Sequence, residues 1–450
     1  MVGVYNHVWM APYNVEYITE FQIEKKMKTH DKAYVKGVIL ATSLAMLQNM
    51  IDGKVVVSIY FEQAKLTQLI FSGYISQMNV SEVGEHREVM LELTGLTQAL
   101  DRATAFADYQ DVTKNNAGMI AELMKSYPDI AYEIHCRQEN IESFLIQYDE
   151  TDYEFATRLL SRVEAPVYTT TEGQFGRICF GLNTRDTGVE LEQAEYEMFY
   201  EDGIQYKLVY DEYLDLGMQV TLEGQALVVK AAKYCYQNGE SLNTYQLGTK
   251  ESCMIQPIKN EKVTGISLDG VIIDCKRDKV KIELNKTLPC EEDKRKWFAY
   301  SSPAASSDGS GWYCMPKKGE EIRLFSPTND ESEAYVISAI REGQSAQQAH
   351  QPVDKVWTNT AGQEIDFTEN GVSLSSNGGA VSMDLRPDGT IEIIANKNLE
   401  IYADKDIMLK ANKGMSISSV TGITLANDTG SALMIDRNIT ESANRIKNNC

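Results

Sequence analysis

The chain contains no uninterrupted apolar run near the ~18 residues a membrane-spanning helix requires, and Met1–Thr19 lacks the basic start and apolar centre of a secretory signal. It is therefore expected to be made and assembled in the cytoplasm. Basic charge is also scarce: 43 Lys and Arg stand against 65 Asp and Glu, a net charge of −22. Residues 1–262 hold 38 acidic and 22 basic side chains, a surface that repels nucleic acid and anionic lipid. Histidine is rare, and His7, His30, His86, His135 and His350 are scattered. The eight cysteines, at 136, 179, 235, 253, 275, 290, 314 and 450, include no Cys-x-x-Cys pair. Reduced, mostly buried thiols are the simpler reading, against a metal site or a disulfide framework. There is no His-Glu-x-x-His, no Walker loop and no Gly-x-Ser-x-Gly. The acids Asp149, Glu150, Asp152 and Glu154 read as helix capping rather than catalysis. No catalytic, cofactor or metal site is expected.

What the chain does have is a repeat near its C-terminus. Ile391, Leu399, Ile407, Met415 and Ile423 recur at a spacing of eight, each followed two residues later by Ile393, Ile401, Leu409, Ile417 and Leu425. Ala395, Ala403, Ala411, Ser419 and Asn427 come two residues later again. Within a unit this is the alternation of a strand with one buried face. Between units, Asn396-Lys397-Asn398, Asp404-Lys405-Asp406 and Asn412-Lys413-Gly414 supply turn-forming residues. So short a strand cannot bury its apolar face alone, which implies stacking of units and winding with identical copies into a rod. From Gly389 to Asn427 four lysines balance four acids, so the sides of the rod are polar but nearly neutral.

A length of 450 residues suggests about three domains. The first ~110 residues read as alternating strands without βα alternation, which predicts a barrel or sandwich. Helices are predicted over Asn115–Ser126 and Asp152–Val163, the second with Asp149 or Thr151 as cap. From Val263, six short strands are predicted at Val263–Ser267, Gly270–Cys275, Lys279–Leu284, Trp297–Ser301, Glu321–Phe325 and Ala334–Ile340. That rhythm fits a small closed barrel of the OB type. After a polar linker, Glu342–Asp354, strands at Glu364–Phe367, Gly371–Leu374 and Val381–Leu385 read as irregular first turns of the rod.

In this order the features resemble the VgrG proteins of type VI secretion and the tail hub and needle of contractile phages and phage-like bacteriocins. The most specific part is the small barrel. Trp297-Phe-Ala-Tyr-Ser-Ser-Pro303, Gly309-Ser-Gly-Trp-Tyr-Cys-Met-Pro316 and Gly319-Glu-Glu-Ile-Arg-Leu-Phe325 resemble the family's tryptophan strand, glycine-containing loop and Pro-x-x-Gly-x-Glu turn, marked here by Trp297, Pro316, Gly319 and Glu321. Trp357-Thr-Asn-Thr-Ala-Gly-Gln-Glu-Ile365 resembles the entry into the needle, and Asp149–Leu160 the helix joining the two hub barrels.

The resemblance implies a mainly β fold. Residues 1–262 would form the hub, with two gp27-like β-barrels and short helices, and 263–345 an OB-fold. A neck would run over 346–388, a needle of octads over 389–427, and a tip over 428–450. It further implies a homotrimer whose C-termini wind into a triple-stranded β-helix, with Ile391, Ile393, Leu399, Ile401, Ile407, Leu409, Met415, Ile417, Ile423 and Leu425 as its core. Implied partners are the inner tube protein, baseplate proteins and a PAAR-like tip protein or effector, with the target membrane crossed mechanically and no nucleic acid bound. Leu433, Met434 and Ile435 either form an apolar platform for the tip protein or plug the trimer's own end. The implied function is the spike and hub of a bacterial contractile injection system, without enzymatic activity. A trimeric tail fibre or adhesin would also use a β-rod, but it leaves the small barrel unexplained. A β-solenoid hydrolase would need acids lining the solenoid, whereas Glu392, Glu400, Asp404 and Asp406 alternate with the apolar set.

Overall fold

The computed structural model describes residues 7–13, 15–39, 55–63, 66–84, 86–141, 143–191, 194–201, 203–285, 290–302, 314–337, 353–359 and 361–447. The chain divides into two compact units, Met1–Arg341 and Glu342–Cys450. The first unit opens with six strands, β1 (His7–Ala11), β2 (Tyr17–Lys26), β3 (Lys32–Ile39), β4 (Val57–Gln63), β5 (Leu66–Val83) and β6 (His86–Gly95). Then come β7 (Thr104–Tyr109), helix α1 (Asn116–Met124), β8 (Tyr132–Ile134), β9 (Leu145–Thr151), helix α2 (Asp152–Ser161), β10 (Val167–Thr170) and β11 (Arg177–Phe180). A second run of strands follows: β12 (Arg185–Glu190), β13 (Tyr196–Tyr200), β14 (Ile204–Val209), β15 (Met218–Leu222), β16 (Gln225–Gln237) and β17 (Glu240–Gly248).

The two runs of strands join in one barrel-like sheet of 12 strands, with the path β1-β4-β5-β6-β3-β2-β16-β17-β14-β13 and β15 bridging β12 to β16. The seam is β2 against β16, from Lys26↔Ala231 to Gln237↔Glu20. Alternation puts Phe21, Ile23, Val35, Ile59, Leu91, Tyr234, Tyr245 and Leu247 into one shared core. A second core lies under the helices, with Ile120, Leu123, Phe155, Leu159 and Leu160 packed on Val167, Ile178 and Phe180. Both helices are capped by side chains, the second by Thr151, one of the two residues expected there. Asn115 accepts from Gly118 N at 2.8 Å. Thr151 and Glu154 form a reciprocal capping box, with Glu154 N to Thr151 Oγ1 at 3.1 Å and Thr151 N to Glu154 Oε2 at 2.9 Å.

The small barrel follows as β18 (Ser267–Lys276), β19 (Lys279–Leu284), β20 (Phe298–Ala299), β21 (Glu321–Phe325) and β22 (Tyr335–Ile337), in the order β20-β19-β18-β21-β22. The strand expected over Val263–Ser267 is instead a 3-10 turn, Glu261–Val263, capped by Asn260, with β18 starting at Ser267. Val263 is apolar because it plugs the barrel core from that turn. The expected glycine loop at 309–311 and most of the linker lie outside the described residues.

The start of β9, with Phe144 just before it, serves two cores. Leu145 enters the core under the helices, whereas Phe144 and Ile146 enter the small-barrel core beside Ile272, Val280, Ile282, Phe298 and Leu324. Phe144 meets Phe298 edge-on at 5.3 Å between ring centres. The run Phe144-Leu-Ile, apolar on both parities, is the signature of a strand buried on both faces. Phe144→Ala should therefore destabilise the first unit by about 3–5 kcal/mol. Urea denaturation followed by tryptophan fluorescence would measure the loss.

Candidate functional site

The joint between the small barrel and the rest of the first unit is held by a buried ionic triad. Arg158, on α2, is turned inward. Its Nε and Nη2 donate to the two carboxylate oxygens of Glu150 at 2.7 and 2.8 Å, and its Nη1 donates to Glu331 at 2.6 Å. Nη2 also reaches the carbonyl of Ile146 at 2.8 Å. Glu150 closes β9 and Glu331 lies in the 3-10 turn before β22, so one guanidinium ties three elements. Burial pushes Glu150 up against the pull of Arg158. Burial opposes the charge on Arg158 too, but the two carboxylates outweigh it and hold its pKa above the usual value. At the periphery Lys262 pairs with Asp149 at 3.0 Å and Asn260 donates to Tyr148 O at 2.9 Å. Asp152 accepts from Tyr127 Oη at 2.7 Å and from Gln147 at 2.8 Å. The acidic cluster read as capping thus divides its work: Glu154 caps, Asp152 and Asp149 tether, and Glu150 anchors the joint.

Pro316, Gly319 and Glu321 of the small-barrel motif lie in one turn, apart from Trp297. Pro316 is buried and its carbonyl accepts from Cys275 Sγ at 3.0 Å. Gly319 takes φ +91°, a conformation costly for other residues, and its N–H donates to Ile272 O at 2.8 Å. Glu320 holds Lys317 N at 3.0 Å, and Glu321 opens β21 opposite Val271. Trp297, just before β20, is half-buried with Lys281 Nζ 4.9 Å from its ring centre.

The second unit carries its apolar residues outward. It begins with a meander of β23 (Lys355–Thr358), β24 (Glu364–Thr368), β25 (Gly371–Ser376), β26 (Val381–Leu385) and β27 (Ile391–Ala395), each antiparallel to the next. Its register sorts the side chains. Trp357, Ile365, Leu374, Met383 and Ile393 form one cross-strand row, and Phe367, Val372, Leu385 and Ile391 another on the same face. The opposite face carries Asp366, Ser373, Asp384 and Glu392. The apolar face is the open one: Phe367 is 54 % and Ile391 63 % exposed, whereas Ser382 on the polar face is buried. An open hollow of about 780 Å3 lies along the apolar row and reaches Leu399.

Ile391 and Ile393, the first of the expected needle core, thus belong to the last strand of this meander. No strand is assigned over 396–422. There Leu399, Ile401, Ile407, Leu409, Met415 and Ile417 are 54–71 % exposed. Ile423 and Leu425 lie on β28 (Ile423–Ala426), which pairs with β29 (Ala432–Ile435), and that in turn with β30 (Ile439–Ser442). Register places Leu433 opposite Leu425, and Ile435 between Ile423 and Ile439. Met434 faces Thr424 and Thr440 on the other side, so Leu433, Met434 and Ile435 do not share one face.

Residues 268–340 match the type VI secretion system/phage-baseplate injector OB domain. Solved structures share the wider fold. The E. coli c3393 protein, described as a component of the type VI secretion system with structural similarity to the T4 tail proteins gp27 and gp5, aligns with a TM-score of 0.54 at 12% identity, over 75% of this chain and 100% of its own. A chain of the half-lidded Francisella PdpA-VgrG complex aligns with a TM-score of 0.59 at 8% identity, over 87% of this chain and 88% of its own. The lidded form of that complex aligns at 0.56 and 8%, over 85% and 76%. No curated protein matches the chain. The chain is thus mainly β with an injector OB domain, and these likenesses match the VgrG and contractile-tail spike family that its motifs resemble.

Two outcomes follow from the electrostatics of the first unit. Arg158→Ala leaves Glu150 and Glu331 buried without their cation and should cost about 3–5 kcal/mol in urea denaturation. Beside the core seam, Asp31 is buried, accepts from Thr169 Oγ1 and lies near the buried Lys25–Asp215 pair. Burial pushes Asp31 up to about 6, against the opposing pull of Lys25 and Thr169. Burial also pushes on Asp215, but Lys25 and the Thr171 N–H outweigh it and hold that carboxyl below its usual value. A carboxyl raised in the folded state destabilises it above its folded pKa, and that penalty fades as pH falls through about 6. Asp31→Asn should therefore raise the melting temperature at pH 7.5, with a gain that shrinks toward pH 5.

Proposed function

We propose that this chain is the spike and hub of a contractile injection system, a mechanical part without catalytic activity, assembled as a homotrimer in the bacterial cytoplasm. The observation that carries the reading is the inverted polarity of the second unit, which follows an injector OB domain in the chain. A row of Leu, Ile and Met at octad spacing, more than half exposed in one chain, has to be covered by something with the same repeat. Identical copies supply that repeat in register. Winding three chains brings each apolar side chain against its symmetry mates and pairs every strand edge, which leaves a stiff rod with few adhesive patches. Each apolar Å² removed from water contributes about 25 cal/mol, so stability grows with the number of octads and exists only in the assembly.

In this reading the first unit adapts a tube above to the needle below. The shared strand β9 and the Arg158 triad keep the small barrel from shearing away under load. The needle crosses the target envelope mechanically. Its end, over 428–450, carries a PAAR-like tip protein or an effector, with Leu433 and Ile435 on the apolar side of the last hairpins. A tail fibre or adhesin would share the rod but has no use for an injector OB domain.

Light scattering of the purified full chain should give three times the chain mass. Ile407→Asp, which gathers three carboxylates at the axis, should return a monomer with the circular dichroism of the first unit retained. A wild-type monomer, or an Ile407→Asp trimer stable in SDS, would overturn the reading.

A further inference from the structure

The outer face of the sheet seam is basic in a hub that is otherwise acidic. Register places Lys26 on β2 beside Ala231 on β16, Ala231 beside Gln246 on β17, and Gln246 beside Lys207 on β14. The next row brings Lys233 between Glu24 and Thr244. The bulge between Val229 and Ala231 and the small Ala231 side chain leave the surface hollowed between the lysines. Two hollows of about 270 and 240 Å3 share Lys26 and Gln246. Lys207 and Lys233 border the first, and Lys28 and Lys230 the second. The acids beside them are Glu24, which pairs with Lys233 at 2.9 Å, Glu201, and Glu197, which register places opposite Lys207. Lys28 donates to Met254 O at 2.6 Å. Among the described residues neither Lys26 nor Lys207 takes part in an ion pair, and both side chains are exposed.

We infer that this lysine-lined double hollow docks a short acidic protein segment. Three strand steps separate Lys26 from Lys207, about 14 Å at the usual spacing of ~4.8 Å. A single phosphate cannot reach both. An extended peptide with carboxylates on alternate residues, about 7 Å apart, can, and Gln246 between them offers an amide to its backbone. A long polyanion is disfavoured, because beyond the patch it meets a region holding 38 acids against 22 basic residues. This surface lies wholly in the first unit, so the inference stands independently of the needle reading.

The test uses the full chain and a fluorescein-labelled peptide of eight glutamates, followed by fluorescence anisotropy. Binding is expected at low salt and should weaken at least tenfold on raising NaCl from about 50 to about 200 mM. Lys26→Glu and Lys207→Glu should each weaken it about tenfold with unchanged circular dichroism and mass, whereas Lys318→Glu on the small barrel should not. Three results would each overturn the assignment: no binding at low salt, binding indifferent to both reversals, or equal binding of a single-stranded DNA octamer. Competition by millimolar inorganic phosphate would likewise assign a small-anion site instead.

Discussion

The second unit has to bury apolar side chains that it cannot bury by itself. A five-stranded meander has two faces, and this one leaves the face with Phe367, Leu374, Leu385 and Ile391 open while Ser382 on the other is covered. Beyond it, residues 396–422 run without intrachain strand partners, and the Leu and Ile side chains of these octads are left exposed within one copy. Both deficits call for the same remedy, which is other chains with the same repeat. The proposed threefold needle follows from this constraint more than from any single residue.

The first unit solves its burial internally and depends on a different device. Twelve of its strands form one sheet across the β2–β16 seam, and its small barrel borrows Ile146 of β9 and Phe144 just before it. Arg158 then locks the borrowed strand to the turn before β22. Cutting this joint would open two cores at once. The cost of this joint is a charged group held away from water.

Much of this was legible in the residues. Thr151 and Glu154 mark a helix start because their reciprocal hydrogen bonds are local, whereas the octads read as one-faced strands and only those at Ile391–Ala395 and Ile423–Ala426 find strand partners within the chain. The turn at Pro316 and Gly319 was read from its resemblance to a family motif. What escaped was set by distant partners. Val263 reads as the start of a strand because it is apolar, but its burial is supplied by a barrel it caps from a turn. Arg158 carries no mark of its buried role in the sequence, since nothing nearby in the chain points to Glu331. Within the tail, Leu433, Met434 and Ile435 read as one patch until the register of β29 divides them between two faces.

The burial constraint on 396–422 is tested most directly by hydrogen exchange of the full chain at micromolar concentration. The account predicts that amides of the octad strands around Leu399, Ile407 and Met415 exchange as slowly as those of β16, because neighbouring chains hold them. Exchange of those amides at the rate of an unstructured peptide, with the first unit still protected, would contradict it.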